Sequence, residues 1–424
     1  MNTWALSLNG VRTVVELELK QRIRSRRWIW ALVAWFLVLG AITTLVIWAA
    51  MTWYGGTSME INEPAMEPFT PSGSDFGMRS GPLAFGLITC LVLGMGLMMA
   101  PAFTATSING ERSAGTLATL QATRLSALDL AAGKLIAAWC TAAVFLVVAA
   151  PFIAWSMVLG NISVWQVLVV LLVVMAEVAV VCAIGLGWSA IISRAAGSAA
   201  MTYLSVVVLA VFSVLVFGLS IALTQEKTTE RVWGLTSDAV AAYAQETEDY
   251  YAKNPDGADP PPAPVDECTW FDRQTVDVHY ERVWWMLVGN PFVVVADAAP
   301  LPPGASADLS RYNSLQYDPL AAVRYGVRKL SLPQAGEVDE CAQYYSSLPG
   351  YTVEWDDGGN AIVKTAGGKV VNTSPVKVRA VNVQTPVWPW GLGFHVLLGA
   401  GFFWVAVRRL AIPHRKLSPG TRVA

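Results

Sequence analysis

The chain reads as six long apolar runs separated by polar stretches of very unequal length. The runs occupy about residues 28–50, 82–107, 135–159, 164–192, 199–223 and 387–407. Each is long enough to cross a hydrocarbon layer as a helix. Each is also continuous rather than alternating, which predicts helices and not barrel strands. The turns joining the third, fourth and fifth runs are minimal, so these three must be antiparallel neighbours. Ahead of the first run, Val11, Val15, Leu19 and Ile23 recur every four residues with Val14 beside them. This predicts an amphipathic helix, its second half crowded with Lys20, Arg22, Arg24, Arg26 and Arg27. No small-residue cleavage site follows the first run, which therefore reads as an uncleaved span. In the second run, Gly94 and Gly96 allow a neighbour to approach closely, and Pro101 predicts a kink.

Between the fifth and sixth runs lies the one large polar region, residues 224–386. It opens with a helical-looking segment over 226–251 and breaks at a Pro-rich linker over 254–264. A helix is expected around 320–330. The pattern then alternates: Tyr351, Val353 and Trp355, followed by Asp356-Asp357-Gly358-Gly359 and 361–364, signal a hairpin, and strand character continues at Val370-Val371 and over 376–383. Residues 283–299 are conspicuously apolar, yet too short and too broken at Gly289-Asn290-Pro291 to span. They form either an interfacial or re-entrant element or a buried core segment of the polar domain. The fold class is an all-α polytopic membrane protein with six transmembrane helices and a large α+β insertion between helices five and six.

Composition agrees. With 54% hydrophobic and 14% charged residues over 424 positions, and a mean hydropathy of +0.46, a soluble protein of this size is excluded. The net charge of −2 hides a segregation. Segments proposed as inner hold about 15 Lys and Arg against four acids, Glu16, Glu18, Glu111 and Asp129, whereas the short outer loops hold one cation, Arg79. Both termini are therefore expected in the cytoplasm and the insertion outside. The domains expected are a cytoplasmic amphipathic helix over 1–27, five spans over 28–223, the extracytoplasmic insertion over 224–386, and a last span with a basic tail over 387–424. Cys90, Cys140 and Cys182 fall in apolar runs and read as small buried hydrophobes. Cys268 and Cys341 fall in the insertion, on an oxidising face, and form one disulfide or remain two unrelated thiols.

The polar stretch 109–134, between the second and third spans, carries Glu111, Arg112, Gly115-Thr116-Leu117, Leu120, Leu125-Ser126 and Gly133-Lys134. Leu117 and Leu120 lie three apart, as do Leu125 and Leu128, so each pair shares a helix face. A short surface helix with apolar knobs and flanking charge suits docking of a soluble partner. The pattern resembles the loop after the second span in permeases of the ATP-binding-cassette (ABC) type-2 exporter family, with Ala118 where an acid is common and Arg124 where proline is common. The resemblance implies that the loop carries a coupling helix seated in a groove of a separate ATPase subunit, with Glu111, Arg112, Gly115, Thr116, Leu117, Leu120 and Leu125 as docking residues. It also implies that Lys20, Arg22 and Arg24 belong to a connector helix touching the same ATPase. Read without it, those charges equally suit a topogenic cluster or a helix on anionic lipid. The implied assembly has two permease units, identical or paired with a sister permease, over two ATPase subunits, with spans two and five lining the path. The insertion is not covered by the resemblance.

Catalytic signatures are missing. No GxxxxGK[ST] phosphate loop occurs, since Gly133-Lys134 is followed by Leu135 and Gly367-Gly368-Lys369 by Val370. With no HExxH and no CxxC, no cofactor, metal, nucleic-acid partner or enzymatic activity of its own is expected. Asp277, His279 and Glu281 alternate and can share a strand face as a metal site, but a solvated polar face accounts for them better. Glu177 is the one carboxylate in the middle of a span, where an ionised group costs about 2.5–3.5 kcal/mol on insertion scales. It is either a polar anchor in the translocation path, alongside Met95 and Met98, or one end of a helix–helix hydrogen bond to a nearby serine or threonine. His395 in the sixth span is a weaker case of the same kind. The expected function is the permease subunit of an ABC exporter, moving a lipid, hydrophobic drug, peptide or polymer across the cytoplasmic membrane. The alternative is a non-transporting receptor or assembly protein whose insertion binds a ligand or envelope component.

Overall fold

The computed structural model describes residues 6–24, 26–55, 73–115, 125–160, 162–254, 268–300, 318–332, 337–346, 350–356, 360–365, 367–377 and 385–411. Among them, six helices are long and apolar enough to cross a membrane: Trp28–Ala49, Ser80–Ser113, Ala127–Gly160, Val164–Ile191, Ala195–Ile221 and Trp388–Leu410, numbered here as spans 1 to 6. The chain divides into two compact units, one over 1–217, 284–328 and 384–424, the other over 218–283 and 329–383.

The first unit is built around span 4. That helix is apolar all round, the pattern of a helix surrounded by others, and it packs on spans 2, 3, 5 and 6. In its most apolar window 61% of residues are buried, and in span 2 56%, against 17% in span 1 and 11% in span 5. Spans 2 and 4 approach closely at Gly96, where a Cβ would lie 2.6 Å from Val178 Cγ2. Indole donors tie neighbours together: Trp35 Nε1 donates to the Phe145 carbonyl at 3.1 Å, and Trp139 Nε1 to that of Met175 at 2.8 Å.

Span 3 begins two turns before its hydropathy does. The apolar run predicts a start at residue 135, but the helix begins at Ala127. The cause is a reciprocal cap. The Ser126 hydroxyl accepts the Asp129 N–H at 2.9 Å, and the Asp129 carboxylate accepts the Ser126 N–H at 3.2 Å. Span 5 is interrupted by a π-turn, Val208–Phe212. The apolar stretch near 283–299 forms two short helices, Trp285–Val288 and Pro291–Ala298. Asn290 caps the second, its Oδ1 accepting the Phe292 and Val293 N–H groups at 2.9 and 3.4 Å. This broken helix packs on spans 4 and 6. Its Asp297 carboxylate meets Arg328 Nε at 2.5 Å and accepts the Val387 and Trp388 N–H groups at 2.7 and 2.8 Å, capping the start of span 6. Arg328 comes from the helix Pro319–Leu330, which is where the sequence predicts one.

The second unit is α+β. Strands β1 (Gln225–Gly234), β2 (Thr269–Val278) and β3 (Glu337–Asp339) form a sheet of order β2-β1-β3, with β1 antiparallel to β2 and parallel to β3. The helical-looking segment 226–251 is thus two elements, because β1 ends at Gly234 and Thr236 caps a separate helix, Ser237–Lys253. Strands β4 (Tyr351–Trp355), β5 (Asn360–Thr365) and β6 (Val370–Lys377) form an antiparallel meander, with the expected hairpin in the register Tyr351↔Thr365. The strand pattern expected past Lys377 lies outside the described residues. Cys268 and Cys341 are bonded, their Cα atoms 6.2 Å apart, in a small core with Tyr345 and Val363.

Candidate functional site

The amphipathic helix Leu8–Ile23 is built into the bundle. The Ser7 hydroxyl accepts the Gly10 N–H at 3.3 Å, and the Ser7 N–H donates to Asp129 Oδ1 at 2.7 Å, fixing the helix start to the start of span 3. Its inward stripe is Val11, Val14, Val15, Glu18, Leu19 and Arg22, spaced at i, i+3, i+4, i+7, i+8 and i+11. Ile23, expected on the apolar face, is exposed. Val14 lies directly over Gly133, where a Cβ would come within 2.6 Å of the Val14 Cβ. Any side chain at residue 133 would push the helix off.

Two of the six inward positions are charged, and both are used. Lys134, on span 3, is 2% exposed, with Nζ 2.5 Å from Glu111 Oε1 and 2.7 Å from Glu18 Oε1. Glu18 Oε2 lies 3.4 Å from Arg22. The Arg22 guanidinium donates to Thr141 Oγ1 at 2.9 Å and to the Phe103 carbonyl at 3.4 Å, and lies over the Phe103 ring. Burial pulls the Arg22 pKa below the usual guanidinium value, while Glu18 opposes the shift. Charges therefore alternate along Glu111, Lys134, Glu18 and Arg22, sum to zero, and join three elements: the amphipathic helix, the end of span 2 and the start of span 3. A buried ion is tolerable only when paired in this way.

The expected docking residues distribute unevenly around this block. Glu111 and Arg112 lie on the helical turn Asn109–Ser113. That turn is tied to span 4, because the Ile108 and Asn109 N–H groups share Ser189 Oγ at 3.0 and 3.2 Å. Gly115 ends the turn at φ +70°, the left-handed conformation that glycine adopts without steric cost. Thr116, Leu117 and Leu120 lie outside the described residues. Leu125 is half-buried against the amphipathic helix, in the cluster of Val14 and Leu130. Of the connector cations, Lys20 and Arg24 are exposed, whereas Arg22 points inward. Lys20 has Glu16 at 3.9 Å, and Arg12, hydrogen-bonded to the same acid, holds the Glu16 carboxyl below the ordinary carboxylate range. Glu18 and Asp129 were not among the expected site residues. Glu18 is found by continuing the Val11–Val15 stripe one turn, and Asp129 by the Ser126-x-x-Asp129 capping signal.

A second polar cluster lies in mid-bundle. Among the described residues, Glu177 meets no serine or threonine. Its partner is His395, with Nδ1 2.9 and 2.8 Å from the two carboxylate oxygens. His395 Nε2 lies 2.9 Å from the Gly289 carbonyl of the broken helix. Residues three to four apart announce a shared helix face, but 218 positions separate these two, and no local pattern joins them. The structure does not bring the expected path residues to one surface. Met95 is half-buried in the core, Met98 is exposed with its carbonyl accepting the Tyr203 hydroxyl at 3.2 Å, and Glu177 is fully buried. A cavity of about 760 Å³ opens between the π-turn, the broken helix and span 6, walled by Phe212, Val216, Trp285, Trp390 and Phe394. Its wall suits hydrocarbon.

In the insertion, Asp277 accepts from the Thr228 hydroxyl, and His279 Nδ1 lies 2.7 Å from Glu281. Arg282 reaches Glu226 at 2.5 Å and holds that carboxyl below its usual range. No group of three metal-ligating side chains occurs among the described residues.

Compared with known families, residues 12–249 match the one described as ABC-2 family transporter protein. The match runs from the amphipathic helix through the first five spans into the insertion. No curated protein matches the chain.

Proposed function

Because the chain belongs to the ABC-2 family of transporter proteins, we propose that it is the membrane-spanning permease subunit of an ABC exporter, worked by ATP hydrolysed on a separate subunit. The observation that carries this is the charge chain Glu111–Lys134–Glu18–Arg22. ATP can bias the membrane helices only through a contact whose free energy differs between nucleotide states, and the contact must push on something stiff. The amphipathic helix, the end of span 2 and the start of span 3 form such a block, and residues 116–124 connect two of its elements along the chain. Leu117 and Leu120 are the knobs that enter the ATPase, and exposed Lys20 and Arg24 face that partner or anionic lipid. By the basic residues it carries, this end of the bundle is the cytoplasmic one.

A second permease copy, identical or a sister chain, covers the sparsely buried face of span 5. Spans 2 and 5 then line the path, where Met98 and Tyr203 meet. The apolar cavity favours a lipid or hydrophobic drug as cargo over a polar polymer. Co-purification tests the reading. The wild-type chain is expected to bring down an ABC ATPase, and Leu117→Asp or Leu120→Asp to release it while the bundle stays folded. A chain that captures no ATPase, or variants that retain it fully, would refute the docking assignment.

A further inference from the structure

The broken helix Trp285–Ala298 is held to the spans at three polar points, through Gly289, Asn290 and Asp297, and the first of them needs a proton. A backbone carbonyl only accepts hydrogen bonds, so the contact of His395 Nε2 with the Gly289 carbonyl at 2.9 Å requires a hydrogen on Nε2. Nδ1 faces the Glu177 carboxyl at 2.8–2.9 Å. That contact needs one further hydrogen, either on Nδ1 facing a carboxylate or on the carboxyl facing a bare Nδ1. In both forms the pair holds two hydrogens and is neutral overall. Removing one breaks a contact. If Nε2 keeps its hydrogen, a bare Nδ1 opposes a carboxylate. If the hydrogen moves to Nδ1, the Nε2 lone pair opposes the Gly289 oxygen.

Other ionisable groups on the elements packed around the pair are occupied or distant from this chemistry among the described residues. Span 4 adds only the buried thiol Cys182, and span 5 only Tyr203, whose hydroxyl is on the Met98 carbonyl. Asp297 of the broken helix is bound to Arg328 and the start of span 6. Spans 2 and 3 add the thiols Cys90 and Cys140, with Glu111, Asp129 and Lys134 spent at the far block and Arg112 on the turn Asn109–Ser113 at that same end. Between Trp388 and Val407, span 6 carries no other titrating group.

The second point of attachment is Asn290. Its Nδ2 donates to the Ala210 carbonyl at 2.8 Å and to Ser213 Oγ at 2.9 Å, and the Ser213 hydroxyl donates to the Leu209 carbonyl at 2.7 Å. A π-turn leaves helix carbonyls short of their usual amides. Here two of them are satisfied by Ser213 and by a side chain of the broken helix, so displacing that element also releases span 5.

We propose that Glu177 and His395 are positioning residues that share one proton and latch the broken helix through the Gly289 carbonyl, so that losing the proton releases the Gly289 end of that helix, away from its Asp297 anchor, and loosens the π-turn of span 5. The latch rests on the permease reading but not on ATPase docking, and it is testable without the ATPase. Nitroxides are placed at Trp165→Cys and Trp285→Cys in the full chain, with Cys90, Cys140 and Cys182 changed to Ala, in lipid nanodiscs. Electron–electron distances should show a second population growing with pH, by up to about tenfold per unit, the limit for one proton. Glu177→Gln supplies an amide N–H in place of the shared proton and should hold the first population at every pH. A wild-type distribution that ignores pH, or a Glu177→Gln variant that shifts as wild type does, overturns the proposal. Nitrogen NMR of ring-labelled histidine in the unmodified chain, with His279 and His414 identified by substitution, should show a hydrogen on His395 Nε2 in the low-pH form; a bare Nε2 there also overturns it.

Discussion

Lys134→Met removes the one cation that two carboxylates share. Lys134 is 2% exposed, but Glu18 and Glu111 are 19% and 23% exposed. Stripping one partner from a fully buried pair costs about 3–5 kcal/mol. The residual solvent at the two acids lowers this to about 2–3 kcal/mol, still more than an exposed pair would lose. The loss falls on the docking of the helix Leu8–Ile23 against span 3, not on the span itself, whose own hydrogen bonds are untouched. Amide exchange over residues 8–23, read in lipid nanodiscs, reports that local opening. Protection there should drop about 30- to 150-fold, the Boltzmann equivalent of 2–3 kcal/mol at 1.4 kcal/mol per decade. Glu18→Gln added to Lys134→Met removes one of the two acids that lost their shared cation and should recover part of the protection, which a merely misfolded variant would not. If protection over 8–23 changes by less than about threefold, or the double variant is no better than the single, the charge chain is not what holds the helix.

Three further outcomes are expected. Replacing Cys268 and Cys341 by alanine opens a loop closed across 73 positions and should cost the insertion about 4 kcal/mol by the chain-entropy relation. Thermal unfolding of the full chain should show this as a lower insertion transition, and an unchanged transition would count against it. Asn290→Ala removes a helix cap worth about 1 kcal/mol and leaves the Ala210 carbonyl without its donor, about 1–3 kcal/mol more. Exchange across Val208–Val214 should change, and identical exchange would mean that the π-turn stands without Asn290. Arg282 lowers the Glu226 pKa, so this pair stabilises the insertion above the ordinary carboxylate pKa and the contribution is lost as pH falls through the lowered value. Glu226→Gln should therefore flatten the acid limb of insertion stability below about pH 4, and an unaltered limb would exclude the pair as a contributor.

What the sequence made legible follows from the range over which each signal acts. Hydropathy acts over twenty residues and set the spans, and alternation around Asp356–Gly359 set the hairpin. The start of span 3 was hidden because Ala127–Lys134 is helical for a capping reason, whereas hydropathy reports only solvent preference. The amphipathic helix was visible, but its environment was not. A stripe ending in Glu18 and Arg22 reads as a headgroup-layer helix until Lys134 and Thr141, more than a hundred positions away, are seen to face it. The pair Glu177–His395 and the grip of Asn290 on Ala210 are of the same long-range kind. The small helix 291–298 was legible as apolar and broken, because Gly289-Asn290-Pro291 is a stop followed by a cap and a first-turn proline.

The placement of the disulfide along the chain has a consequence for how the molecule is made. Cys268 and Cys341 flank residues 284–328, which belong to the span bundle while the chain on both sides belongs to the insertion. The bond is thus a clasp around the neck of a detour. Once it closes, the detour is a tethered loop of fixed circumference, and the broken helix explores a far smaller volume as it seeks spans 4 and 6. A nascent chain that oxidises early delivers that segment on a short leash. One that oxidises late must find the bundle while trailing two loose ends.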